Sequence, residues 1–302
     1  MYILKSIPKP RVWGTSRLQS YSTEQMDGKI GSVYTASGIA EIDSPIALGK
    51  ETLRKVVLQK PEKFGLVKGE EFPLIISMTA ADEDLSIQVH PTDTYAREVE
   101  NKLYGKSEAW FFLSEPKSGS IIAGQTAESE VVFRQAVADG RYQQILARET
   151  IAANDMAYIP SGTIHALTKG SLVYEIQQST DITYRFYDYD RLDVTGEKRE
   201  LHTKKALETV DYQQTISKSP FALEQTLDVR EFKVKRTVIH GTYTNEESIV
   251  QVLTLLRGNT CINHKMLMKG QSVLVLPDEQ ITVEHSAECM IATPKTYWRD
   301  KF

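Results

Sequence analysis

Four side chains in three short stretches are of types that together can hold a metal ion. They are Gln88 and His90 in Ser86-Ile87-Gln88-Val89-His90-Pro91, Glu108 in Gly105-Lys106-Ser107-Glu108, and His165 in Ile159-Pro160-Ser161-Gly162-Thr163-Ile164-His165. Gln88 and His90 are two apart on a strand-like stretch, and alternate residues of a strand share a face, so both can point into one interior. Glu108 adds an anionic oxygen and His165 a second imidazole. Two nitrogens, a carboxylate and an amide oxygen suit zinc with an open coordination position.

Each of these residues also has a plainer reading. A lone histidine on a strand is more often structural or superficial than a ligand. His202, His240, His264 and His285 are read that way, because none has a second ligand type at strand spacing. His90 and His165 differ, each lying at a proline- or glycine-marked strand end where the mouth of a barrel would be. Glu108 alone would be a solvated carboxylate, but it opens the buried-strand sequence Ala109-Trp110-Phe111-Phe112-Leu113. A carboxylate there needs a cation or hydrogen bonds to offset its desolvation.

More polar residues surround the set. Lys106 lies two before Glu108, Glu175 lies within Val173-Tyr174-Glu175-Ile176-Gln177-Gln178, and Arg185 closes Asp181-Ile182-Thr183-Tyr184-Arg185. Lys106, Glu175, Asp181 and Arg185 would form either a structural ion-pair network around a barrel rim or a polar pocket beside the metal. The pocket would suit proton transfer next to a carbonyl. The metal would polarise the oxygen and the arginine would steady developing negative charge.

Strands must carry most of these residues. Residues 52–59, 74–78, 85–89, 109–114 and 172–176, then 230–239, 248–256, 272–276 and 289–292, are short runs rich in Val, Ile, Leu and aromatics between turn residues. That pattern predicts a mainly β chain, a barrel or jelly roll. Helices are expected at Thr92 to Leu103, with Tyr95, Val99 and Leu103 as an apolar stripe, and at Thr126 to Ala138, with Thr126 as N-cap and Gly140 as stop. Shorter ones are expected at Arg141 to Arg148 and Thr203 to Val210. The polar stretch Asp211 to Pro220 reads as a linker. Residues 154–160 and 270–277 echo one another as a tight turn, a buried strand and a terminal proline, but only the first copy is followed by a ligand-type histidine, His165. The expected organisation is therefore a metal-binding domain over 1–215 with helical insertions, then a smaller domain over 216–302 without metal.

The bulk figures narrow the setting. The 302 residues are 41% hydrophobic and 25% charged, with a formal charge of −4, an ordinary globular composition with no reason to bind nucleic acid. A few local cations would still suffice for a phosphorylated substrate. Cys261 and Cys289 are the two cysteines, far apart and without a C-x-x-C pattern, which fits a reducing compartment. The N-terminal stretch lacks the apolar core of a signal peptide, and no apolar run approaches membrane-spanning length. A cytoplasmic location is the expectation. Oligomeric state is not legible.

Over most of Leu74 to Leu207 the sequence resembles the type I, zinc-dependent mannose-6-phosphate isomerases, particularly the short bacterial form. The resemblance is carried in order by residues 85–91, 105–110, 159–166, 174–181, 183–185, Tyr187-Asp188-Tyr189-Asp190-Arg191 and Arg199-Glu200-Leu201-His202, with Trp13-Gly14 similar to the family's opening. It implies a cupin-type jelly roll carrying one zinc ion, followed by a smaller jelly roll without metal. It also implies zinc ligation by Gln88, His90, Glu108 and His165, an active-site lysine at Lys106, pocket carboxylates at Glu175 and Asp181, and a catalytic arginine at Arg185. The implied reaction interconverts mannose 6-phosphate and fructose 6-phosphate through a cis-enediol. Arg185 would serve the anionic intermediate or the phosphate, and Lys106 or Glu175 proton transfer, with Asp181, Lys106 and Arg185 as substrate contacts.

Two departures stand out. The family usually has a lysine where this chain has Ser77, and a Gly-Glu-x-Trp stretch where it has Gly31-Ser32-Val33-Tyr34. A lost charge-assisted contact to phosphate would cost about 1.5–3 kcal/mol, roughly tenfold to a hundredfold in binding. Lys106 or Arg185 could compensate. A sugar- or sugar-phosphate-binding relative without turnover is therefore the alternative. A cupin oxidoreductase using iron or manganese fits less well, because Gln88 stands where a third histidine would be expected.

Overall fold

The computed structural model describes residues 1–193 and 196–301. The chain is mainly β, with a few helices. It forms two compact units, one of Met1–Lys9, Ser16–Met78 and Phe221–Phe302, the other of Pro10–Thr15 and Thr79–Pro220. This grouping differs from a single cut between 215 and 216. The reason is that the N-terminal segment is bonded into the C-terminal one. Tyr2 and Ile3 pair with Leu274 and Val273, Leu4 N donates to Ser272 O at 3.0 Å, and the Ser272 hydroxyl bonds Thr35 Oγ1 at 2.8 Å.

In the first unit an antiparallel sheet runs, in spatial order, Tyr2–Ile3, Ser272–Val275, Gln251–Arg257, Gln280–Pro294, Phe232–Thr244 and Thr226–Asp228, with the hairpin Thr260–Ile262 and Lys265–Leu267 joined to Gln280–Pro294. Residues two apart, such as Leu253 and Leu255, Val273 and Val275, and Ile281 and Val283, bury one face of this sheet together with Cys289, as strand alternation requires. Both cysteines are free.

The second unit holds two sheets. One runs Tyr184–Tyr187, Ile87–Val89, His165–Ala166, Ser120–Gln125, Leu146–Thr150; within the unit the other runs Ser217–Pro220, Asp155–Ile159, Glu108–Ser114, Leu172–Gln178. Trp110, Phe112, Ala157 and Val173 from the second sheet pack with Ile121 and Leu167 from the first, so a core lies between them. Ile87, Val89, Ile164 and Ala166 face the other way, onto Phe133, Ala136 and Ala206 of the covering helices. The interleaved residues Gln88 and His165 are thereby turned inward.

Several local expectations change. Residues 52–59 are not a strand; Leu53–Gln59 is a helix, burying Leu53, Val56 and Val57 at the one- and three-residue steps of a helix face, and tertiary packing overrides the β-branched composition. Asp93–Glu100 is helical, but Val99 and Leu103 are exposed, and the buried positions are Asp93 and Ala96. The next helix is Glu130–Ala138, capped by the Ser129 side chain rather than Thr126. The expected helix over Arg141 to Arg148 is a 3-10 turn, Tyr142–Gln144, followed by the strand Leu146–Thr150. Thr203–Thr209 is a helix as expected. The supposed linker is bonded into the second unit: Asp211 N donates to Gly162 O at 3.0 Å, and Ser217–Pro220 pairs with Asp155–Ile159. The internal echo has a backbone counterpart. Asn154 and Gly270 both take positive φ, 69° and 81°, just before the strands Asp155–Ile159 and Ser272–Val275. Among the described residues no helix is long and apolar enough to cross a membrane.

Candidate active site

His165 pairs directly with Gln88 across neighbouring strands, and cross-strand partners share a face. His90 follows as the continuation of the Gln88 strand. Glu108 comes from the opposite sheet, on the same face as Trp110 and Phe112. Three ligand-type side chains therefore meet between the sheets: His90, Glu108 and His165, each at most 1% exposed, with ligand atoms all within 4.8 Å of one another.

The separations are short. His90 Nε2 is 3.2 Å from His165 Nε2, His165 Nε2 is 3.3 Å from Glu108 Oε1, and His90 Nε2 is 3.6 Å from Glu108 Oε2. The Gln88 amide reaches 3.5 Å from His165 Nε2, and turning it by half a rotation presents its oxygen there instead. Both imidazoles are oriented through their far nitrogen. His90 Nδ1 is 3.0 Å from Ile182 O, and His165 Nδ1 is 2.8 Å from Thr163 O. A carbonyl only accepts, so each Nδ1 carries the proton, and in the neutral ring Nε2 keeps a bare lone pair aimed at the cluster. The Trp110 ring lies edge-on to His165, 5.5 Å between centroids.

The electrostatics favour a bound cation. Burial, reinforced by Lys106, pushes the pKa of His90 well below its usual value although Glu108 opposes the shift. Burial pushes Glu108 upward, but Lys106, His90 and His165 outweigh it and hold this carboxylate below the usual range. An ionised carboxylate and two inward lone pairs thus share one buried spot. Among the described residues neither Glu108 oxygen receives a well-formed hydrogen bond; the Lys106 ammonium lies beside one of them, and a bound cation would meet both. The donor set fits a divalent metal.

Lys106 is buried, with Nζ 3.3 Å from Glu108 Oε2. Glu175 is opposite Trp110 in register and faces the same interior. Its carboxylate accepts from the Thr79 hydroxyl at 2.7 Å and from Trp110 Nε1 at 3.4 Å. Arg185 is the register partner of Gln88, so it too emerges on the ligand face. Its Nε donates to Ser86 Oγ at 3.3 Å and one terminal nitrogen to Glu200 O at 2.7 Å. His202 N donates to Arg185 O at 2.6 Å. Burial, then Arg199, lowers the pKa of Arg185, and a guanidinium remains charged regardless. Asp188, itself buried, takes Arg191 at 2.6 Å and the Arg199 Nε at 2.7 Å. Asp181 stands apart. It is exposed in the connection before Tyr184–Tyr187 and makes no hydrogen bond or ion pair among the described residues, although its neighbour Ile182 orients His90.

Sequence reasoning missed Thr79, Ser86 and Asp93. None has a type unusual for its place, and only the folded contacts reveal what they touch: Thr79 bonds Glu175, Ser86 bonds Arg185, and Asp93 bonds Gly105 N and Gln178. Gly105 is a further case. A Cβ there would stand 2.4 Å from Pro91 O and 2.5 Å from Thr92 C, so only glycine lets the turn before Lys106 close against the His90-Pro91 turn. Gly105→Ala is expected to destabilise the unit by about 2–4 kcal/mol, read as a lowered urea midpoint at unchanged slope.

No family model matches the chain. Individual proteins do. It is 39% identical over 211 residues to the probable mannose-6-phosphate isomerase GmuF of Bacillus subtilis, covering 68% of this chain and 67% of that one. It is 32% identical to the mannose-6-phosphate isomerase of Streptococcus mutans, over 95% of this chain and 98% of that one. The crystal structure of the mannose 6-phosphate isomerase from Bacillus subtilis superposes with a TM-score of 0.81 at 30% identity, covering 97% of this chain and 99% of that one. The chain belongs to the mannose-6-phosphate isomerase family.

Proposed function

We propose that this chain interconverts mannose 6-phosphate and fructose 6-phosphate, with one zinc ion held by Gln88, His90, Glu108 and His165. The observation that carries the reading is the spacing of the ligand atoms, 3.2, 3.3 and 3.6 Å. Ligands about 2.1 Å from a tetrahedral centre stand ~3.4 Å apart, whereas an octahedral centre of that bond length brings neighbours to ~3.0 Å. The mixed donor set of two imidazoles and two oxygens is also one that zinc accepts. When bound, the ion supplies a Lewis acid that polarises the sugar's carbonyl and hydroxyl oxygens.

The chain's own residues supply the rest. The proton on C2 of the aldose must leave and return at C1, on one face of a cis-enediol. Lys106 and Glu175 are the candidates for that transfer, Lys106 beside the ligand Glu108 and Glu175 on the neighbouring strand of the same sheet, turned to the same face. Arg185, fixed by Ser86 and Glu200, steadies the enediolate's negative charge or the phosphate. Asp181, on the surface beside the His90 orienting loop, is assigned to the substrate's outer hydroxyls. The fold reading is two jelly rolls, one carrying the metal and one without. The polar, cationic surroundings of Arg185 suit a sugar phosphate.

A second reading keeps binding and drops turnover. It is motivated by Ser77 and Ser32, both buried within the first unit, where the family resemblance calls for a lysine and a glutamate. Zinc-loaded protein given fructose 6-phosphate in D2O separates the two. Isomerisation predicts mannose 6-phosphate together with deuterium at C1 or C2. Calorimetric binding without exchange, in this protein and in Ser77→Lys, supports the second reading and overturns the first.

A further inference from the structure

Asp93 is 3% exposed, at the start of the helix Asp93–Glu100, and the chemistry above makes no use of it. An acid in a first helical turn ordinarily sits in water, where the helix's free N–H groups favour it. This one is turned inward. Its Oδ1 accepts from Gly105 N and from Gln178 Nε2, both at 2.9 Å. Gln178 is also buried and relays the connection, its Oε1 accepting from Ser107 N at 2.7 Å. Lys106 N, between them, donates to Pro91 O at 3.0 Å. Three consecutive peptide N–H groups around Lys106 are therefore fixed, two of them by one carboxylate, directly and through a single amide.

The same turn is tied to both histidine segments. Ser107 Oγ accepts from Ser161 N at 3.1 Å, and Gly162 N donates to His90 O at 2.8 Å. Lysine has a long stem with many rotamers, so the place of its ammonium depends on how firmly the backbone beneath it is held. Asp93 bonds that backbone at two points, directly at Gly105 N and through Gln178 at Ser107 N, and two fixed points on either side of Lys106 restrain it more than one. We propose that Asp93 is a positioning residue for the isomerisation, holding the Gly105–Ser107 backbone so that the Lys106 ammonium stands beside Glu108 and the reacting carbons of the sugar phosphate. This rests on the reading that Lys106 takes part in the reaction.

Steady-state kinetics and metal analysis of single and double variants test it. Asp93→Ala should lower kcat about 30-fold, as misplacing a reacting group by a fraction of an ångström does, with KM and zinc per chain within about twofold of the parent. Asp93→Asn, which keeps the accepting oxygen, should recover kcat to within about fivefold. In a Lys106→Ala background Asp93→Ala should add less than about twofold, because a residue acting through Lys106 has nothing left to position. If Asp93→Ala does not fold, Gln178→Ala, which cuts the amide relay from Asp93 to Ser107 and leaves the Asp93–Gly105 bond, must show the same kcat-selective loss, about tenfold, and the same silence in the Lys106→Ala background. Additive losses in the double variant, or zinc content falling in step with kcat, overturn the proposal. Full activity of Lys106→Ala alone overturns instead the role given to Lys106, and the proposal falls with it.

Discussion

Glu108→Ala is expected to purify folded, to carry less than about a tenth of the parent's zinc after dialysis, and to turn over at least ~10³-fold more slowly. The carboxylate is the one anion among the clustered ligands, and it opens a strand whose neighbours are already buried. Its removal leaves two imidazoles and the Lys106 ammonium facing one spot. That ammonium, 3.3 Å from the lost oxygen, then repels an incoming cation instead of neutralising an anion. The fold should survive, because Trp110 and Phe112 carry the strand's packing and, among the described residues, neither Glu108 oxygen receives a hydrogen bond that would hold another segment. A second readout is independent of turnover. Zinc at about a thousand times its Kd should stabilise the parent by about 4 kcal/mol and the variant by almost nothing. A variant that keeps its zinc and its rate would remove Glu108 from the site altogether.

Arg185→Lys should be nearly as damaging as Arg185→Ala, with kcat/KM down about 10²–10³-fold and zinc content unchanged. Charge is conserved in the lysine variant, so geometry decides the result. The guanidinium bonds Ser86 Oγ through Nε and Glu200 O through a terminal nitrogen, two directions that one ammonium cannot satisfy while still facing the ligand side. The loss should fall on kcat if Arg185 meets the enediolate and on KM if it meets the phosphate. Parallel loss of zinc would instead mark a structural part for Arg185, through its register pairing with Gln88.

How much of this the sequence disclosed depended on the kind of signal. The Gln88/His90 pair was legible because a two-residue step on a strand has one geometric meaning. That step could not say which sheet supplies the third ligand, and Glu108 arrives from the facing sheet. The helix Leu53–Gln59 was hidden, because Val56, Val57 and two further apolar residues in eight satisfy strand and helix patterns alike, and only the surrounding core selects between them. The stripe Tyr95, Val99, Leu103 misled for the opposite reason. The helix presents Asp93 and Ala96 inward, and a buried carboxylate looks like a surface one until its partners, Gly105 and Gln178, are known. Asp181 reads as a pocket residue by resemblance, yet the fold leaves it exposed. The first nine residues gave no hint that their strand partner lies near position 273, since pairing between distant segments leaves no local periodicity.

That last pairing sets a timetable for synthesis. Tyr2 meets Leu274, so the edge they form must wait while some 270 residues are added, roughly 15–55 s at ~5–20 residues per second. Residues 79–220 carry all four proposed metal ligands and leave the ribosome well before Ser272–Val275 does. That segment can therefore begin to collapse while the nascent N-terminal strand is still an open, adhesive edge, which makes the elongating chain, more than the finished enzyme, the species that needs a chaperone's cover.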